Sequence, residues 1–361
     1  MDLDGRDREL AARYLAENAA LREALGVSNG VELVPHYLGE GEHNRNFWFA
    51  DPRTGRKFVL RINVSPQPFH DKQIAYEFAA LQLLAESGRA PLPLYLDASP
   101  EAPGEGALVE SFCEGDRLDF DNLRPGDLQC ATQLMADIHA VRIDDAEHRP
   151  LYRPTDPLRG LFDECVARFK TYRSSGCEDA SLTRWTERFI AAAQDTLDTP
   201  SDPAECRHIV NTETLAAHFL IPKGSAEAAA ANIEGWRNNP GFFVDWERPI
   251  VGEVAQDLAY FVAPTTTFWD SNFFFTAEQA NSIIEEYWRA VDGRFPRGSF
   301  DGRFRAFRMM TALRSTTWFC KAMTTYLGRD GGHMTERTRE KFPLYLADEF
   351  MEMLARDCFE L

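Results

Sequence analysis

The polar segment Asn211-Thr212-Glu213-Thr214-Leu215-Ala216-Ala217 is bounded on both sides by apolar runs. Arg207-His208-Ile209-Val210 precedes it, and His218-Phe219-Leu220-Ile221 follows. A third run, Phe242-Phe243-Val244, ends in Asp245. Short apolar runs bounded by polar residues read as strands. Two strands that enter and leave one loop fix both of its ends, and the third brings a carboxylate to a strand terminus. The fold must therefore present Glu213, His218 and Asp245 at strand ends, where binding and catalytic groups concentrate.

The 361 residues suffice for two or three domains, or for one large two-lobed one. No apolar run reaches the roughly 18 residues that span a bilayer. Met1 to Arg8 is charged with no apolar signal core behind it, so the expected location is cytoplasmic. Seven scattered cysteines without a Cys-x-x-Cys argue against a disulfide framework or a zinc site. Net charge is −18, which argues against nucleic-acid binding, because neutralising phosphates needs a basic face. The acidity fits solubility, and it also fits a pocket for a cationic substrate.

Residues 7–25 carry Leu10, Tyr14, Leu21 and Leu25 at helical spacing, with Gly26 as a stop. Val31 to Leu38, Phe47-Trp48-Phe49 and Lys57 to Ile62 read as strands of an antiparallel meander. The first two are joined by a loop holding Gly39, Gly41, His43 and Asn44. In the third strand Phe58, Leu60 and Ile62 share one face, and Val59 and Arg61 the other. Residues 70–87 form an apolar-striped helix with Glu77 beside Phe78 and Leu81. Leu94 to Leu96 and Ala107 to Phe112 are further strands, the second containing Glu110. Helices are expected over 124–142, Arg153 to Lys170, Ser181 to Leu197, 277–291, 300–325 and 335–357. Pro222 to Pro240, rich in Ala, Gly and Asn, reads as an extended hairpin or a mobile flap. Trp269, Trp288 and Trp318 are expected in the core.

Over residues 30–325 this pattern resembles the aminoglycoside phosphotransferase and choline kinase family. The family's loop reads His-Gly-Asp, four residues, then Asn. Aligning Phe219-Leu220-Ile221 with the following strand puts Asn211-Thr212-Glu213 on His-Gly-Asp and His218 on Asn. The spacing is kept and the identities are not. Val244-Asp245-Trp246-Glu247 and Asp257-Leu258-Ala259 carry the resemblance further. It implies an α+β, protein-kinase-like two-lobed fold, with a small antiparallel-sheet N-terminal lobe and a larger, mainly helical C-terminal lobe. An N-terminal helix would occupy residues 1–28, the nucleotide-binding lobe 29–113, and the helical lobe 114–361.

The resemblance further implies ATP and Mg2+ as cofactors and a small-molecule hydroxyl as acceptor, with no nucleic acid or membrane partner. The residues implied for nucleotide binding are Gly39, Gly41, His43, Asn44, Arg61, Glu77, Glu110 and Phe112. Arg61 would hold phosphates and pair with Glu77, and Glu110 to Phe112 would be the hinge whose backbone meets adenine. Asp245 and His218 would be at the metal and Glu213 the base, while Asp257 would hold the loop backbone and His139 would be structural.

Two departures remain. Glu213 carries one more methylene than Asp, and imidazole suits zinc, copper, iron or nickel better than magnesium. Three readings follow: a small-molecule kinase, a kinase-like protein that binds nucleotide or a partner without turnover, and a metal-dependent hydrolase using His208, His218, Glu213 and Asp245.

Overall fold

The computed structural model describes residues 3–40, 43–65, 72–143, 150–199, 204–326 and 336–361. In chain order, α1 (Leu3–Glu17) and α2 (Ala19–Leu25) precede β1 (His36–Glu40), β2 (Asn44–Ala50), β3 (Lys57–Asn63), α3 (Gln73–Leu84), β4 (Pro93–Asp97) and β5 (Ala107–Ser111). Next come β6 (Asp116–Arg117), α4 (Asp127–His139), α5 (Pro157–Arg173), α6 (Ala180–Asp198), β7 (His208–Val210), β8 (Phe219–Ile221), α7 (Ser225–Ala230), β9 (Phe242–Phe243) and β10 (Ile250–Gly252). The remainder is helical: α8 (Val254–Val262), α9 (Pro264–Asp270), α10 (Ala277–Val291), α11 (Phe300–Tyr326), α12 (Glu336–Tyr345) and α13 (Asp348–Cys358). The architecture is α+β, with an antiparallel sheet near the N-terminus and a larger helical region.

The chain divides into two compact units. The first comprises residues 1–117, 124–152 and 218–249, the second 118–123, 153–217 and 250–361. In the first unit five strands lie in the order β1-β2-β3-β5-β4, every pair antiparallel. One face of this sheet buries Phe47, Phe49, Phe58, Leu60, Ile62 and Val109 against Leu15, Leu21 and Leu25 of the N-terminal helices. Each such side chain is worth about 1.5–3 kcal/mol when fully buried. That burial commits the opposite face, with Val59 and Arg61, to other work.

The N-terminal helix is two helices, because Asn18 breaks it. The Asn18 side chain accepts a hydrogen bond from Leu21 N, capping α2, and Gly26 ends α2 at φ 69°. Residues 31–35 alternate buried and exposed as an extended chain should, but ladder pairing begins only at His36.

The 222–240 segment is not a hairpin or a flap. The alanine-rich stretch folds as α7, as its helix propensity favours, and it is anchored within the first unit. Arg89 donates to the carbonyls of Arg237 and Asn238, and Arg237 Nε donates to Gln133 on α4. At Gly126, φ is +93° and a Cβ would lie 1.8 Å from the Ala226 carbonyl oxygen, so α4 meets α7 only over glycine.

In the second unit α11 packs against α5, α6 and α8. The expected 335–357 helix is broken between α12 and α13 at Leu346 and Ala347. Trp269 and Trp318 meet edge to face at 5.4 Å and Trp288 packs on Phe300, but all three stay partly exposed, at the margin of the core rather than within it. Among the described residues no helix is long and apolar enough to cross a membrane.

Candidate active site

In the first unit, Arg61 gathers three carboxylates from two segments. Its Nε lies 2.8 Å from Glu77 Oε1 on α3. Its Nη2 lies 3.2 Å from Asp245 Oδ1 and 2.9 Å from Glu247 Oε1. The Arg61–Glu77 pair expected from the sequence is therefore present, and Glu77 is only 1% exposed. Burial disfavours the Arg61 cation, but Glu77, Asp245, Glu247 and Glu110 outweigh it and raise its pKa.

Glu110, on β5 opposite Val59, is also buried. Burial pushes its carboxyl up to about 7; Arg61 opposes the rise and Asp245 adds to it. Asp245 sits after β9 at φ +66°, a left-handed backbone that Asp tolerates better than most residues. Burial raises its pKa, but His218 and Arg61 hold the carboxyl below the usual range. His218 Nε2 lies 3.3 Å from Asp245 Oδ2. The Asp245 side chain is 36% exposed, enough to meet a ligand.

Helix α3 also ties down the segment after Asp245. Gln73 donates to the Glu247 carbonyl, and the Tyr76 hydroxyl donates to that of Pro249. Glu247 is a member of this cluster that the sequence reading left without a role. Strand alternation gave no signal for it, because the left-handed Asp245 breaks the extended chain before Glu247.

The other residues expected to bind nucleotide lie on or beside β1, β2 and β5. Gly39 pairs with Asn46 beside an irregularity in the β1–β2 register. Gly41 lies outside the described residues. His43 Nδ1 is 3.0 Å from Ser65 Oγ. Asn44 is fully buried, donating to Glu247 Oε1 and accepting from Asn63. The Phe112 N–H donates to the Lys57 carbonyl at 3.3 Å. Its ring meets Trp48 edge-on at 6.2 Å, and Lys57 Nζ lies 5.2 Å from its centroid.

In the second unit, Asp257 at the start of α8 is fully buried and grips the polar loop. Asn211 N donates to its Oδ2 and Thr212 N to its Oδ1, both at 2.8 Å. This is the backbone-holding role expected of Asp257. Asn211 Oδ1 in turn accepts from Glu213 N at 3.1 Å. Thr212 lies at φ +71°. A β-branched residue is a genuine outlier there, and this is the position where the resembling loops carry Gly.

Arg314 on α11 completes the loop. Its Nη2 donates to Glu213 Oε1 at 2.7 Å, and its Nη1 lies 3.5 Å from the Thr212 carbonyl oxygen. Burial lowers the Arg314 pKa, but Glu213, Tyr260 and Glu164 raise it further. His208 does not join a metal cage; its ring packs on Phe295 at 4.5 Å. Among the described residues no group of three or more His, Cys, Asp or Glu is placed to hold a metal ion by itself.

Residues 36–207 match the family model of the phosphotransferase enzyme family, APH. The resemblance read from the sequence is borne out. The family match stops four residues short of the Asn211 loop, where the identities depart. A protein from Ralstonia eutropha JMP134, provisionally named an aminoglycoside phosphotransferase, superposes with a TM-score of 0.65 at 14% identity, over 93% of this chain and 96% of that one. Spectinomycin phosphotransferase APH(9)-Ia in complex with ADP and spectinomycin gives 0.56 at 10%, over 92% and 93%. Choline kinase from Cryptosporidium parvum Iowa II gives 0.57 at 14%, over 91% and 92%. No curated protein matches in sequence. At these identities the superpositions show that the chain shares the kinase-like fold.

Proposed function

We propose that the protein transfers the γ-phosphoryl group of ATP to a hydroxyl of a small molecule in the cytoplasm. The observation that carries the reading is the Arg61 cluster, in which one guanidinium meets a buried helical Glu77 and a partly exposed Asp245. Phosphoryl transfer needs held phosphates, magnesium and a carboxylate for the attacking hydroxyl. Arg61 offers two-pronged contact to phosphate oxygens. Asp245 fits magnesium, which takes one or two carboxylates and completes its shell with phosphates and water. Bound there with ATP, magnesium would neutralise charge on the transferring group.

Glu213 takes the proton of the acceptor hydroxyl as its oxygen forms the new bond to phosphorus. The bond from phosphorus to the bridging oxygen breaks, and ADP leaves. His218, facing Asp245 Oδ2, orients the metal-binding carboxylate. Gly39, Gly41, His43 and Asn44 shape the phosphate end of the nucleotide, and the Glu110–Phe112 strand end meets its base. We assign nucleotide binding to the lobe at 29–113 and acceptor binding to 114–361. The −18 charge favours an acceptor bearing an amine.

A second reading is favoured by the same His218–Asp245 contact: an imidazole committed to the metal carboxylate fits a protein that binds nucleotide without turnover. Calorimetric titration of ATP, with and without magnesium, into wild type and Asp245→Ala separates the two when followed by an acceptor screen. Magnesium-dependent binding lost in the variant, with a phosphorylated product, supports the kinase. Binding without magnesium dependence and without product supports the second reading. Absence of binding removes both.

A further inference from the structure

The geometry points to Arg314 as the positioning residue of Glu213, fixing a carboxylate one methylene longer than the loop's usual Asp. The inference rests on the proposed function. The extra methylene displaces a carboxylate by about 1.5 Å on an unchanged backbone, and a misplacement near 1 Å costs roughly a hundredfold in rate. Something must therefore hold Glu213, and Arg314 reaches it from α11, 101 residues away in sequence. Nη2 contacts Oε1 at 2.7 Å while Nη1 lies 3.5 Å from the carbonyl oxygen of the strained Thr212. One planar fork thus braces the side chain and the backbone that carries it, while Asp257 grips the N–H groups of Asn211 and Thr212. A lysine could not do both.

The charged and titratable groups around Arg314 are Glu213 on the loop, Tyr260 on α8 and Glu164 on α5. Glu164 is itself paired with Arg168. Cys165 beside them is pushed up to about 11 by burial, so it stays a neutral thiol at working pH.

The test uses the full chain with Mg·ATP and no alcohol, so that water is the acceptor and ADP release is read. A neighbouring cation lowers a carboxyl pKa by about 1–3 units. In Arg314→Gln the acid limb of the kcat profile should therefore move up by about one unit or more, and kcat should fall roughly tenfold to a hundredfold. KM for ATP should stay within about twofold, since no lost contact concerns the nucleotide. A limb and kcat that coincide with wild type overturn the inference.

If Arg314→Gln does not fold, Arg314→Lys carries the test, and wild-type kcat in that variant is the overturning result. If wild type releases no ADP with water, the kinase reading is left to the acceptor screen. The positioning claim is then decided by carbon-13 titration of the Glu213 carboxyl, assigned by its loss in Glu213→Gln. An upward shift in Arg314→Gln sustains it, and superimposed titration curves end it.

Discussion

Arg61 is a buried guanidinium and Arg314 a largely buried one, its side chain 15% exposed, and they are matched to their carboxylates in opposite ways. Arg61 faces Glu77, Glu110, Asp245 and Glu247, four acids for one cation. Among the described residues Arg314 makes one ion pair, with Glu213, and puts its other prong towards a backbone oxygen. The first cluster has more carboxylates than cations, and on the proposed function that surplus would suit a divalent cation and the phosphates it carries. The second already holds its counter-charge, the condition under which a carboxylate is held still. A surplus of acids suits recruitment of a ligand, and a matched pair suits orientation of one group.

The contrast is easiest to break at Arg61. Arg61→Ala strands Glu77 in the interior, and losing one partner of a buried pair costs about 3–5 kcal/mol. Chemical denaturation should show a loss of that order, and Arg61→Lys should recover part of it. An unchanged midpoint would show that the cluster is not held by charge.

Burial gives the first cluster a pH signature, which the neighbouring Asp245 enlarges. Folded Glu110 keeps its proton to about 7, whereas the ordinary value is 4.5. Below that ordinary value both states are protonated. Between 4.5 and about 7 the folded protein binds the proton and the unfolded chain does not, so stability falls as pH rises. The loss is complete above the folded value and amounts to about 3 kcal/mol. Denaturation series from pH 4 to 8 with chelator present should show this slope in wild type and not in Glu110→Gln. A flat wild-type profile would refute it.

Away from both clusters, Gly126→Ala forces α4 off α7 and should cost about 1–3 kcal/mol. The thermal midpoint should fall while Mg·ATP affinity stays near wild type. The smallest effect sharpens the second cluster. Thr212→Gly removes the left-handed penalty of about 1–2 kcal/mol and returns about half of it as unfolded-chain entropy. A gain below about 1 kcal/mol should appear in the midpoint. A loss would mean the threonine side chain supports the loop.

What the sequence made legible was local. Alternation placed β3 and set Arg61 opposite Phe58, Leu60 and Ile62, and helical period placed Glu77. The spacing around residues 213–221 and the Asp257 segment located the gripped loop. What stayed hidden was long-range or conformational. Nothing near Arg314 in the chain marks it as a partner of Glu213, because α11 carries many basic residues and only tertiary packing selects one. The alanines of α7 did signal a helix, but flanking Gly, Asn and Pro masked it. The break at Asn18 was written as a cap residue inside an otherwise continuous helical stripe.

The Glu213–Arg314 bond also ties two distant codons together. A carboxylate one methylene shorter would draw back from Nη2, leaving a largely buried guanidinium without that acid. Glu213→Asp, which restores the loop's usual residue, would on this geometry be harmful unless position 314 changed as well. On this geometry positions 213 and 314 can change only together.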